Sequence, residues 1–174
     1  MLYPFYEKKA KIGEDVFIAP NAIIIGDCEI REKSSIWFGT TIRADVNRII
    51  IGKMTNIQDL TMIHVDEGEP PVIIGDLVSV GHRAILHGCQ IEDECMIGMG
   101  SILLNRVKVG KNSIVGAGSV LLEDSVVPAG TLVAGIPARV KREVKPEEVN
   151  WIKKVAESYY LLAKRYKSLL AKGI

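Results

Sequence analysis

Several things are scarce in this 174-residue sequence, and each scarcity excludes something. There are three cysteines, at 28, 89 and 95, an odd number at irregular spacing. That argues against a disulfide framework and against a zinc site built from cysteine alone. Charge of one sign is missing: 22 Lys and Arg against 21 Asp and Glu leave +1 at pH 7. No bulk field therefore recruits nucleic acid or an anionic membrane. No apolar run approaches the roughly 20 residues that span a bilayer. The opening MLYPFYEKKAK has no apolar stretch of a secretory signal, so the expected location is the cytoplasm. What remains is 48% hydrophobic and 25% charged, the composition of one globular domain able to bury a core without staples.

The abundant feature is a period of six. Isoleucine stands at 12, 18, 24, 30, 36 and 42. The step resumes in a new phase at Ile51, Ile57 and Ile63, and again at Ile74, Val80 and Leu86. It then runs from Ile91 through Ile97, Leu103, Val109, Val115, Leu121 and Val127 to Val133. Four residues after most of these sits a small or β-branched residue, and Gly often follows directly, as at 13, 52, 75, 81, 98, 110 and 116. A period of six fits neither a helix nor an uninterrupted strand. Very short strands separated by sharp bends do fit it, each burying one aliphatic side chain and each bend favouring Gly or a small residue. Coils of such strands stack in parallel about 4.8 Å apart. The pattern resembles the hexapeptide-repeat family, which implies an all-β, left-handed parallel β-helix with three hexapeptides per coil. About seven coils are expected over 12–140, after a lead-in at 1–11.

Residues 141–174 form the third segment, a linker and a helix. Pro146 with Glu147 and Glu148 suits a first helical turn. Ile152, Val155, Tyr159, Leu162, Tyr166, Leu169 and Leu170 are expected on one face, packed along the coil and capping its edge.

The three histidines lie within 24 residues, at 64, 82 and 87. Ile63 and Ile74 are 11 apart instead of six, so DEGEPP at 66–71 bulges as a loop. Counted in repeats, Leu86 is one full coil above Ile63. His64 and His87, each following its aliphatic residue, therefore stack on one face, at a separation that suits two imidazoles on one metal. His82 falls on a neighbouring face and reaches that metal only from another subunit of a symmetric trimer. Three neutral imidazoles with an open position make a catalytic site, whereas unrelated surface or core histidines are the plain alternative.

The motifs IRADVN at 42–47, NIQD at 56–59, MIHV at 62–65, VGHRAILHGC at 80–89 and IGMGSIL at 97–103 resemble gamma-class carbonic anhydrases along essentially the whole chain. The resemblance implies reversible hydration of CO2 to bicarbonate by metal-generated hydroxide. It implies a homotrimer whose interfaces hold Zn2+, with Fe2+ or Co2+ as alternatives, on His64, His82 and His87. Gln58 matches the residue that hydrogen-bonds the metal's water, and shares a face with His82. Arg43 and Asp45 match a pair that orders interface and site; by repeat position alone they read as a surface ion pair.

Some positions depart from the family pattern. Val46 stands where the founding type has a Glu. Glu67 sits three residues after His64, where the family's proton shuttle stands, but in a much shorter loop; a solvated loop acid is the alternative. Tyr159 occupies the helix position from which an Asn approaches the site, and plain helix packing is its alternative. Shorter-loop relatives of this kind are often poor carbonic anhydrases. VAGIPARVKR at 133–142 resembles the end of hexapeptide acyltransferases, so acyl transfer from acyl-CoA is the competing activity. A metal-dependent acyl-CoA thioesterase and a non-catalytic assembly subunit complete the alternatives. Cys28 and Cys95 fall at the small inward position and are expected in the core.

Overall fold

Three ladders of aliphatic side chains define the architecture. Ile18, Ile36, Ile57, Val80, Ile97, Val115 and Val133 lie above one another in parallel register. Ile24, Ile42, Ile63, Leu86, Leu103 and Leu121 form the second ladder. Ile12, Ile30, Ile51, Ile74, Ile91, Val109 and Val127 form the third. All but Ile12 and Ile18, on the first turn, are at most 3% exposed. Each buried Ile, Leu or Val contributes roughly 1.5–3 kcal/mol. The computed structural model describes residues 1–172, and in it these ladders are the inner faces of a parallel β-solenoid of about seven turns.

Most strands are two or three residues long, as the six-residue period requires. Two longer ones, Ile23–Ile30 and Thr41–Ile51, run around a corner without a break and join two walls into one sheet. The small residues hold successive coils together. The hydroxyl of Ser34 donates to the Gly52 carbonyl at 2.6 Å, and that of Thr55 to the Gly75 carbonyl at 2.7 Å.

Glycines take positive φ at bends as expected, for example Gly39, Gly100, Gly118 and Gly130, but those that directly follow a buried aliphatic do a different job. Many bends are made by ordinary residues held at positive φ, among them Lys33, Met54, Leu60 and Arg83. Gly98 shows what the glycine after a buried aliphatic is for: a Cβ there would lie 2.4 Å from the Ala117 backbone nitrogen of the next coil. Close coil-to-coil approach, not bending, excludes a side chain.

The solenoid ends in a reversal. Strand Ala138–Glu143 returns antiparallel onto Thr131–Gly135, so strand structure extends three residues past the last expected coil position. The helix Pro146–Ala171 then runs back along the wall of Val80 and Ile57. Its first turn is fixed by Glu148, which accepts from the Lys145 backbone N–H at 2.8 Å and pairs with Arg142 through both carboxylate oxygens. The buried stripe is rotated from the expected one. Ile152, Ala156 and Ala163 are buried, with Tyr159 and Tyr166 packed beside them, while Leu162, Leu169 and Leu170 are exposed. Alanines let the helix sit close, and Phe17, Trp37 and Phe38 fill the seam against the two tyrosines. No helix among the described residues is long and apolar enough to cross a membrane.

Candidate metal centre

The repeat is regular except at one corner. From Ile42 to Ile51 the step is nine residues, from Ile63 to Ile74 eleven, and from Leu86 to Ile91 five. These three irregular steps fall on successive coils, between the same two ladders. The released backbone carries Asp45, Asp66 and Gly88, and the strand ends there carry His64 and His87.

His64 and His87 are register partners on adjacent strands. Their rings lie 5.2 Å apart by centroid, with His64 Nδ1 3.1 Å from His87 Nε2. Each outer nitrogen faces an oxygen. His64 Nε2 is 3.2 Å from Asp45 Oδ1, and His87 Nδ1 is 2.8 Å from Asn105 Oδ1. Ring N–H groups donating to those oxygens leave His64 Nδ1 and His87 Nε2 as lone pairs pointed at each other. Two lone pairs at that distance repel unless a cation lies between them. Tetrahedral ligands at bonds of about 2.0–2.1 Å stand about 3.3 Å apart, so the pair fits a zinc-like ion. Asp66 brings a carboxylate oxygen into the same group, 3.7 Å from His87 Nε2.

The surroundings of His64 favour neutral imidazole. Burial pushes the His64 pKa down, and the Arg43 guanidinium adds to this; Asp45 opposes both without reversing them. Burial alone would raise the Asp45 pKa, but the hydrogen bond and charge of Arg43, 2.5 Å away, hold it below the usual carboxylate range. Arg43 is 40% exposed and Asp45 only 15%. The pair is thus more than a surface contact, because its less exposed member also meets His64.

His82 and Gln58 sit on another wall, with Tyr159 facing them from the helix. His82 follows strand Ser79–Val80, and its Nδ1 lies 2.9 Å from Asp59 Oδ2. Gln58 is one coil below, 6% exposed, and donates its amide to Asn56 Oδ1 at 3.0 Å; Asn56 donates in turn to Ser79 Oγ at 2.8 Å. Gln58, His82 and Tyr159 line one cavity of about 390 Å³ between wall and helix, together with Met99, Trp151 and Val155. Tyr159 stands edge-on to Trp37 at 5.3 Å, and burial pushes its phenol pKa up. Within one protomer, then, His64 and His87 are brought together and His82 stands with Gln58 and Tyr159.

Glu67 lies exposed in the turn of the 66–71 loop, and it is Asp66 that reaches the imidazoles. Asp66, Asn105 and Asp59 were not among the expected site residues. For Asp66 the available signal was its place in a loop beginning two residues after His64. Asn105 carries no signal of spacing, because it belongs to a different coil from either histidine. Cys28, Cys89 and Cys95 are fully buried in the core, and burial pushes each thiol up to about 12.

The fold is a hexapeptide-repeat solenoid, and at one corner His64, His87 and Asp66 form a donor group that could hold a metal ion. Residues 9–44 and 88–123 match the family model described as bacterial transferase hexapeptide (six repeats). The chain is 39% identical over 169 residues to a carbonic anhydrase of Geobacillus kaustophilus, covering 97% of this chain and 92% of that one. It is 42% identical over 168 residues to gamma carbonic anhydrase 2, mitochondrial, of Arabidopsis thaliana, covering 94% of this chain. It spans only about three-fifths of that plant relative's length. A solved hexapeptide transferase family protein from Anaplasma phagocytophilum superposes with a TM-score of 0.91 at 39% identity, covering 95% of this chain and 98% of that one. This chain belongs to the gamma-class carbonic anhydrase family.

Proposed function

We propose that this protein is a carbonic anhydrase, hydrating CO2 reversibly to bicarbonate at zinc sites shared within a homotrimer. The observation that carries the reading is the pair of imidazole nitrogens, His64 Nδ1 and His87 Nε2, 3.1 Å apart on a chain of this family. His64 and His87 of one subunit hold the ion, and the partner subunit's His82 completes the set. A three-fold axis beside the solenoid sets one subunit's His82 wall against the next subunit's histidine corner. Bound Zn2+ supplies Lewis acidity, bringing the pKa of a water from 15.7 to about 7. Fe2+ and Co2+ suit the same nitrogen donors.

The chain's own groups do the rest. Burial and Arg43 keep His64 neutral, and Asp45 orients its ring. The Gln58 amide is held through its nitrogen by Asn56, so its oxygen is the group left to accept a hydrogen from water. Met96, Met99 and Ile114 offer the cavity an apolar surface on which CO2 loses little by leaving water. Glu67, exposed at its loop tip, passes the proton to buffer, and Tyr159 approaches the site from the helix. A cytoplasmic location agrees with three buried cysteines that are all free.

Acyl transfer is the weaker reading. The relatives 39% and 42% identical to this chain are named as carbonic anhydrases, and His64 and His87 face each other as a pair instead of standing singly. Stopped-flow CO2 hydration on zinc-loaded protein, repeated after chelation, tests the proposal. Turnover is expected in the first sample and not in the second. Acyl transfer unaffected by chelation, with no CO2 hydration, would overturn it.

A further inference from the structure

We infer that Asn105 is a positioning residue that fixes the tautomer of His87 and thereby aims its Nε2 lone pair at the metal position. The assignment rests on the metal reading above and adds a residue from the next coil to it. Asn105 is buried, 8% exposed, and both ends of its side chain are used. Its Nδ2 donates to Asp66 Oδ2 at 3.1 Å, and its Oδ1 accepts from His87 Nδ1 at 2.8 Å.

The direction of that amide is not arbitrary. An ionised carboxylate only accepts, so the group facing Asp66 must be the NH2. The group facing His87 is then the carbonyl oxygen, which only accepts. His87 Nδ1 must carry the ring proton, and Nε2 is left bare. The opposite tautomer would turn the amide over and set its oxygen 3.1 Å from a carboxylate oxygen. Asp66 itself cannot claim Nε2 by a hydrogen bond, because 3.7 Å is too long. The charge of Asp66 thus reaches the metal position through two hydrogen bonds, without Asp66 having to be a ligand.

Gly88 makes the arrangement possible. It has φ +57°, and a Cβ there would lie 2.2 Å from Asn105 Oδ1. The glycine after His87 therefore leaves room for an amide from the coil above to lie over it. The Arg106 backbone N–H donates to the Gly88 carbonyl at 2.8 Å, which locks the two coils in the required register. The same two residues hold the 66–71 loop: Asn105 binds Asp66, and Arg106 pairs with Glu69.

Two readouts on the full-length protein test this. The first is 15N NMR of the metal-free protein, which distinguishes protonated from bare imidazole nitrogens. His87 is expected with Nδ1 protonated and Nε2 bare in the wild type, and as a mixture in Asn105→Leu. The second is Zn2+ affinity by competition with a chelator. Asn105→Leu should weaken it about 10–100-fold, as loss of an outer hydrogen bond to a ligand does. Asn105→Asp keeps an acceptor for Nδ1–H but faces Asp66 with a second carboxylate, so it is combined with Asp66→Asn, which returns an NH2 to that contact; the double variant should restore affinity to within a few-fold of wild type. Gly88→Ala should reproduce the loss by displacing Asn105 without removing it. Wild-type affinity in Asn105→Leu, or His87 protonated on Nε2 in the wild type, would overturn the assignment. Failure of the wild type to bind Zn2+ would instead sink the proposed function, and the NMR result would still decide the tautomer.

Discussion

Two regions of the solenoid follow opposite rules. On the wall under the helix the repeat is strict, and its outer residues Gln58, His82, Met99 and Ile114 face an apolar cavity roofed by Trp151 and Tyr159. At the corner between the other two ladders the repeat breaks three times, and carboxylates, imidazoles and an amide crowd together. Regularity builds the frame because each extra coil adds another identical buried aliphatic. Irregularity builds the chemistry, because residues released from the repeat can turn polar groups toward one point. The wall holds its histidine against Asp59, and the corner holds its two against each other. Neither region has three imidazoles by itself.

The comparison can be broken most severely by deleting the wall's contribution. His82→Ala is expected to abolish CO2 hydration and strip zinc from the trimer, with circular dichroism unchanged. Full zinc retention would mean that the corner suffices alone, through Asp66. The frame is tested next. Ile63→Ala, inside the core beneath His64, should cost about 2–5 kcal/mol. In a chain of this size each kcal/mol lowers the thermal midpoint by roughly 2–4 °C. A shift under 2 °C would show that the ladder does not carry stability. Gln58→Ala should lower turnover about 10–100-fold with zinc content unchanged, if the wall supplies the water's orienting acceptor. Tyr159→Phe keeps the ring against Trp37 and should lower turnover less than about tenfold, within the range of one lost hydrogen bond. The smallest effect concerns the thiols. With all three raised to about 12 by burial, native protein at pH 8 should resist iodoacetamide and label fully only when unfolded.

Legibility in the sequence followed the same division. Ladder positions could be counted from the six-residue step alone, because a buried parallel stack tolerates little but Ile, Leu and Val. His64 over His87 came from the same count, once the 66–71 insertion was removed. The helix was visible, but its buried stripe was not. Large leucines look more core-like than Ala156 and Ala163, yet close approach to a wall already lined with Phe17 and Trp37 favours the small residues. Glu67 was singled out by its offset from His64, and folding instead put Asp66 beside the rings, because the short loop turns outward at its tip. Glycine's role at the coils was visible as frequency and not as cause.

The solenoid, its three ladders and the alignment of two histidines all follow from periodicity and could be read from the order of residues. Which groups hold those histidines emerges only once the coils are stacked. Asp45 precedes His64 by 19 residues and Asn105 follows His87 by 18, and a hydrogen bond between coils depends on side-chain direction, which no spacing encodes.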